Sequence, residues 1–173
     1  MNMNRDDTLA AVAELVVDKD AFRLRNDGDD LRVDQLCREL LLRYYEDLLR
    51  SGMQPAEATG WAGGADYYLR DFVLDRKRLS VFDERPGLVS QFAGNWYIVN
   101  TVEPNAAELS RHLTGIKGFY RFLSAHALIT ADYLTLMESE CDDLAYYERR
   151  IESFWGITGD GYAAWEKECT LKD

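Results

Sequence analysis

Residues 109–129 read LSRHLTGIKGFYRFLSAHALI. Leu109, Leu113, Ile116, Phe119 and Leu123 follow one another at steps of three and four, the spacing that lines one face of an α-helix. A helix is expected over about 106–127, with Pro104 near its start, where a missing N–H costs little. Gly115 and Gly118 lie inside it, each costing about 1 kcal/mol against Ala. Glycine at such a place lets another backbone come close. That backbone is a crossing helix or a nucleic-acid strand, and the helix is the commoner cause.

The helical period continues in both directions. Upstream, Leu88–Val102 is an apolar helix with Phe92, Trp96 and Val99, preceded by a turn at Asp83–Gly87. Trp61–Arg78 is a helix anchored by Tyr67, Tyr68 and Phe72, with Leu79 after it, and Gln54–Gly60 reads as a linker with room for one turn of helix. Val33–Arg50 carries Val33, Leu36, Leu40, Tyr44 and Leu48 on one stripe, and Gly52 stops it. An acidic turn, NDGDD at 26–30, separates it from a first amphipathic segment at Asp7–Val17. Downstream, one long helix is expected over about Ala131–Trp155, with Leu134, Met137, Cys141, Leu144 and Ile151 at near-heptad steps and Thr130 or Asp132 as its cap. GITGDG at 156–161 is a glycine-rich turn, and the tail YAAWEKECTLKD adds a short helix. No convincing period-2 segment occurs. The fold class is therefore all-α, a compact helical bundle with extra helices at both ends.

Acids outnumber bases, 31 to 20, for a net charge of −11. A general polyanion binder would carry a cationic footprint instead. The charge is uneven. Residues 60–129 hold eight bases and seven acids, so the whole acidic excess lies in the flanks. Cys37, Cys141 and Cys169 form no CxxC pair, which speaks against a disulfide scaffold or a zinc knuckle. Such thiols suit a reducing, cytoplasmic location. Asp6 and Asp7 precede the short apolar stretch Leu9–Val17 and Glu14 interrupts it, and no small-residue cleavage site follows, so no signal peptide is read there. No run approaches the 18 apolar residues of a membrane span.

Phe119-Tyr120-Arg121-Phe122-Leu123 followed by Leu128-Ile129, and upstream Tyr67-Tyr68-Leu69-Arg70-Asp71-Phe72, carry a family resemblance. They resemble the last and first helices of the N-terminal, core-binding domain of the tyrosine recombinase or phage integrase family, with Leu88–Trp96 standing for the middle helices. The resemblance covers about residues 59–129. It implies a SAM-like helical bundle that grips duplex DNA, flanked by an acidic helical extension at 1–53 and by a long helix and aromatic tail at 130–173. The family's catalytic domain is missing, since only 44 residues follow Ile129. Leu-Thr-Gly follows His112 and Ala-Leu-Ile follows His126, so the His-x-x-Arg pair is absent too. Without that cationic cluster nothing stabilises a pentacoordinate phosphate. None of the ten tyrosines is nominated as a nucleophile, and no enzymatic activity is expected.

The candidate DNA contacts are Arg76, Lys77, Arg78, Arg111, Lys117 and Arg121. The run Arg76-Lys77-Arg78 suits phosphates. It equally suits the last turn of a helix, where cations offset the macrodipole. At 100° per residue, Lys117 and Arg121 lie about 40° apart and Arg111 about 80° beyond. They form a loose basic flank or simply a solvated face. Glu108 and His112 share one helix side, but a metal needs further ligands. The acids Glu138, Glu140, Asp142 and Asp143 read as a solvated band. No cofactor or metal is expected. Trp155, Tyr162 and Trp165 either fold the tail back or present an apolar patch to a partner.

Two functions follow. One is a non-catalytic, integrase-like DNA-binding bundle, an accessory protein or a degenerate recombinase relative that contacts double-stranded DNA. The other is a protein-interaction module that has lost DNA, in its simplest form a homodimer through Leu134, Met137, Cys141, Leu144 and Ile151.

Overall fold

Gly115 and Gly118 sit where helices cross, and the rest of the molecule is arranged around that crossing. The computed structural model describes residues 5–169, and no strand occurs among them. Residues 1–4 and 170–173, the latter closing the predicted tail, lie outside the described part. Helix α1 is Arg5–Leu15, and a 3₁₀ turn, Lys19–Phe22, leads to α2, Asp30–Arg50. Helix α3 begins as Pro55–Asp66 and runs on into a π-helical stretch, Tyr67–Arg76. Helix α4 is Leu88–Gln91, a second π-helical stretch Phe92–Trp96, then Tyr97–Asn100. After it come α5, Ala106–Ala125, α6, Ala131–Asp142, α7, Leu144–Trp155, and α8, Tyr162–Lys167. No described helix is long and apolar enough to cross a membrane.

Helices α3 and α5 share the broadest face in the molecule. A Cβ placed on Gly115 would stand 2.1 Å from the carbonyl oxygen of Trp61, and one on Gly64 would stand 2.9 Å from the Cα of His112. The glycines thus serve a helix crossing. From α2, the Tyr44 hydroxyl reaches over the crossing and donates to the Gly115 carbonyl at 3.0 Å, while its ring packs edge-on against Phe119.

The two π-helical stretches face each other through rings. Tyr67 and Phe72 both contact Phe92 and Trp96, at centroid distances of 5.3–5.7 Å. A π-turn bonds residues i and i+5 and is wider than an α-turn, which brings residues five apart closer to one face. Tyr67 and Phe72 are five apart, as are Phe92 and Tyr97. The wide turns bring both pairs into one aromatic layer, which an ordinary α-helix would fan out. Lys77 N–H to the Phe72 carbonyl and Tyr97 N–H to the Phe92 carbonyl close these turns.

Three expectations need correction. The stretch 54–60 is not a linker with a single helical turn but the start of α3, because Pro55 occupies the first helical position and Ala58 is buried. A proline there gives up only an N–H that would have had no partner. The long helix over 131–155 is two helices. Asp143, with φ −81° and ψ 43°, leaves the helical region between α6 and α7. The bend brings the Tyr147 hydroxyl back to donate to the Glu140 carbonyl at 2.6 Å. The proposed dimer seam is consequently spent inside the chain. Met137, Cys141 and Ile151 are buried, and Leu134 and Leu144 are partly buried against the same core. One apolar core runs through Val12, Tyr44, Phe92, Phe119, Met137 and Trp165, so it draws on the start, middle and end of the chain.

Two charged side chains hold elements together from within. Glu140 of α6 is buried and accepts the backbone N–H groups of Gly87, Val89 and Ser90 at 2.7, 3.0 and 3.1 Å. These are among the orphan donors at the start of α4, where the macrodipole also favours a carboxylate. Burial nevertheless pushes its pKa above the usual carboxylate value, against the pull of the three N–H groups. Arg150 of α7 donates to the Gly94 carbonyl in the α4 π-turn at 2.9 Å and to the Trp165 carbonyl at 2.8 Å. Its guanidinium lies 3.9 Å from the centre of the Trp165 ring.

Candidate functional site

Ser110, Thr114, Lys117 and Arg121 rise one turn after another along α5, on the side that faces Trp61 of α3 and the α6–α7 bend. Between them lies a half-open groove of about 360 Å³, floored by Leu113, Cys141 and Leu144. It is the place where two of the candidate DNA contacts meet. Both are already engaged. Lys117 Nζ lies 2.7 Å from each carboxylate oxygen of Asp142, and Arg121 Nε donates to Glu138. The acids come from the same α6 band that reads as a solvated face in the sequence.

The remaining candidates are scattered. Arg76, Lys77 and Arg78 close the C-terminal end of α3, in the helix-ending role the sequence allows. Arg78 takes a left-handed conformation, φ 57°, and Leu79 N–H returns to the Val73 carbonyl, which satisfies the last turn. Arg78 is paired with Asp30 of α2. Lys77 is half-buried. Arg76 and Arg111 are exposed and form no ion pair among the described residues. The structure therefore brings Lys117 and Arg121 together, ties Arg78 to a different neighbour and leaves Arg111 apart.

Acid–base groups cluster at the start of α5, in structural roles. Asn105 caps the helix by accepting the Glu108 N–H at 2.8 Å. Glu108 in turn receives the Tyr97 hydroxyl at 2.9 Å, while its other oxygen lies 3.9 Å from His112 Nε2. The His112 ring packs on Tyr67 and Tyr97. Burial lowers its pKa below 6.5, against the pull of Glu108. His126, packed on Phe122, is lowered by burial as well. Among the described residues no group of three His, Cys, Asp or Glu side chains is placed to hold a metal. The three cysteines are buried and free, and burial pushes the Cys37 thiol up to about 12.

A depressed histidine pKa means that the unfolded chain binds the proton first on acidification. Stability from this source is full above about pH 6.5 and falls as the pH drops below it. Urea midpoints at pH 7.5 and 5.5 check this. The His112→Gln/His126→Gln variant is expected to lose less stability over that interval than the parent protein. An equal loss in both would remove the histidines from the account.

Sequence reasoning missed Glu140 and Arg150 as internal ties. The helical wheel held the signal. Glu140 lies about 60° from Met137, and Arg150 about 60° from Tyr147, beside the apolar stripe in each case. Of the aromatic tail, Trp165 is folded back and buried, and Trp155 is left exposed. The first of the two alternatives read for these residues holds for Trp165.

No family model, curated protein or solved structure matches the chain.

Proposed function

We propose that the protein is a non-catalytic interaction module of the cytoplasm, one that binds a partner protein and not nucleic acid. One observation carries this reading. Arg78, Lys117 and Arg121, three of the six cations a DNA clamp would use, are each closed by a carboxylate from a neighbouring helix. Affinity for duplex DNA comes chiefly from neutralising many phosphates and releasing their counterions. Arg76 and Arg111, which form no ion pair among the described residues, supply little of that on a chain of net charge −11.

The second reading is an integrase-type, SAM-like clamp. It is favoured by the aromatic-basic stretches at 67–72 and 119–123, which fall on α3 and α5, helices that cross. The two readings part on one titration. A fluorescent duplex at about 50 mM salt, where phosphate contacts are strongest, is expected to show no anisotropy change. Saturable binding that weakens steeply with salt and disappears on charge reversal at Lys117 and Arg121 would overturn the interaction reading.

A further inference from the structure

We infer that the corner formed by the turn after α4 and the end of α7 is a docking surface for a cationic segment of a partner protein, an Arg- or Lys-bearing stretch with an apolar anchor. The inference rests on the interaction reading above and assigns it a place and a partner chemistry.

Three apolar side chains stand out there. Val102 is 94 % exposed, Trp155 59 % and Val99 40 %. They belong to two elements that are bonded together, because Trp155 Nε1 donates to the Pro104 carbonyl at 3.2 Å. The turn itself is held firmly. Pro104 is buried, and the next residue, Asn105, donates its N–H to the Tyr97 hydroxyl at 3.3 Å and caps α5. An exposed indole on a fixed support resembles an interface anchor, since binding need not order it afterwards.

The carboxylates around this corner have no cation among the described residues. Glu103 adjoins Val102 in the turn. Glu152 and Glu148 lie about 60° and 20° from Trp155 on the α7 wheel. All three are exposed and none forms an ion pair among the described residues. Arg149, the exposed cation of α7, lies about 120° from Trp155. Elsewhere on the surface some carboxylates, such as Asp142, Glu138 and Asp30, are matched, and others, such as Asp27 and Asp132, form no ion pair among the described residues. What sets this corner apart is the exposed indole beside its acids.

Charge then selects the occupant. Nucleic acid and anionic bilayers have the same sign as the rim. A second copy would bring its own Glu103, Glu148 and Glu152 to the contact. Three apolar side chains also fall short of the roughly 800 Å² per partner that a stable dimer buries. A cationic segment meets none of these obstacles. Its guanidinium or ammonium groups pair with the free carboxylates and stack on the indole, and its apolar residue covers Val99 and Val102.

The test uses a short amphipathic helical peptide of lysine and leucine, titrated by calorimetry into the full chain, with its glutamate-for-lysine analogue alongside. The lysine peptide is expected to bind and the analogue not. Val102→Asn/Trp155→Ser, at exposed positions, and Glu103→Gln/Glu152→Gln are each expected to weaken binding about tenfold. Asp27→Asn/Asp132→Asn, an equal loss of charge on other elements, should stay within about twofold of the parent. Uniform weakening across all three variants would show diffuse attraction and overturn the proposal. So would capture by anionic vesicles, or self-association in sedimentation velocity, that the Val102→Asn/Trp155→Ser variant abolishes. Failure of these arms beside a negative duplex titration sinks the docking site alone, whereas salt-sensitive duplex binding sinks the reading beneath it.

Discussion

Gly115→Ala is expected to cost about 3 kcal/mol or more of folding stability. It should lower the urea midpoint by about 1 M or more. On propensity alone the change gains about 1 kcal/mol, since alanine is the better helix former. The crossing reverses the sign. The new methyl would sit 2.1 Å from the Trp61 carbonyl oxygen and 2.9 Å from its carbon. Both are backbone atoms, so no rotamer change relieves the clash. The helices must part, and the Tyr44 hydroxyl bond to the Gly115 carbonyl is strained with them. Gly63→Ala is the internal control. It lies in α3, and a methyl added there would meet nothing within 4 Å, so the expected outcome is a gain of up to about 1 kcal/mol. If the two substitutions shift the midpoint alike, the close crossing is not what the glycine provides.

Arg150→Ala is expected to be of similar size, about 3 kcal/mol. The side chain is 4 % exposed, and its loss leaves the Gly94 and Trp165 carbonyls without their charged donor. It also removes the cation from the Trp165 ring. Trp165 donates back to the Arg150 carbonyl at 3.1 Å, so ring and guanidinium form a closed unit. Arg150→Lys is expected to recover less than half of the loss. An ammonium lacks the planar fork that reaches two carbonyls while stacking. A second readout separates this anchoring role from general destabilisation. Limited proteolysis in native buffer should cut within 156–161 faster in Arg150→Ala than in Gly115→Ala, because only the former releases α8. Equal cutting in both variants would make the arginine one more packing residue.

Much of this fold is legible from the letters. Periods of three and four place α2 and α5 within a few residues of their ends, and Gly115 and Gly118 announce the crossing before any neighbour is known. What fails is whatever depends on a partner distant in the chain. Asp143 ends α6 although Leu144 and Ile151 continue the apolar step, and the helices on either side of it are held by distant groups, Glu140 by the N–H groups of Gly87, Val89 and Ser90 and Arg150 by the Gly94 carbonyl. The π-turns at 67–76 and 92–96 exist to set aromatic rings against one another, and neither stretch shows this alone. The ion pairs at the candidate site are hidden in the same way. Lys117 and Arg121 look like a basic flank because Asp142 and Glu138 stand 25 and 17 residues away. A wheel drawn for α5 cannot contain them.

That matching of cations to acids across helices sets how the molecule looks from afar. A tight ion pair is a dipole, and its field fades much faster with distance than that of a lone charge. At physiological ionic strength, screening removes most of the rest beyond about 8 Å. An approaching molecule therefore senses the surplus acids first and the arginines hardly at all. On the interaction reading proposed above, polyanions are repelled before any contact forms and basic protein segments are drawn to the surface. On that reading, pairing that looks like local housekeeping doubles as a filter on encounters.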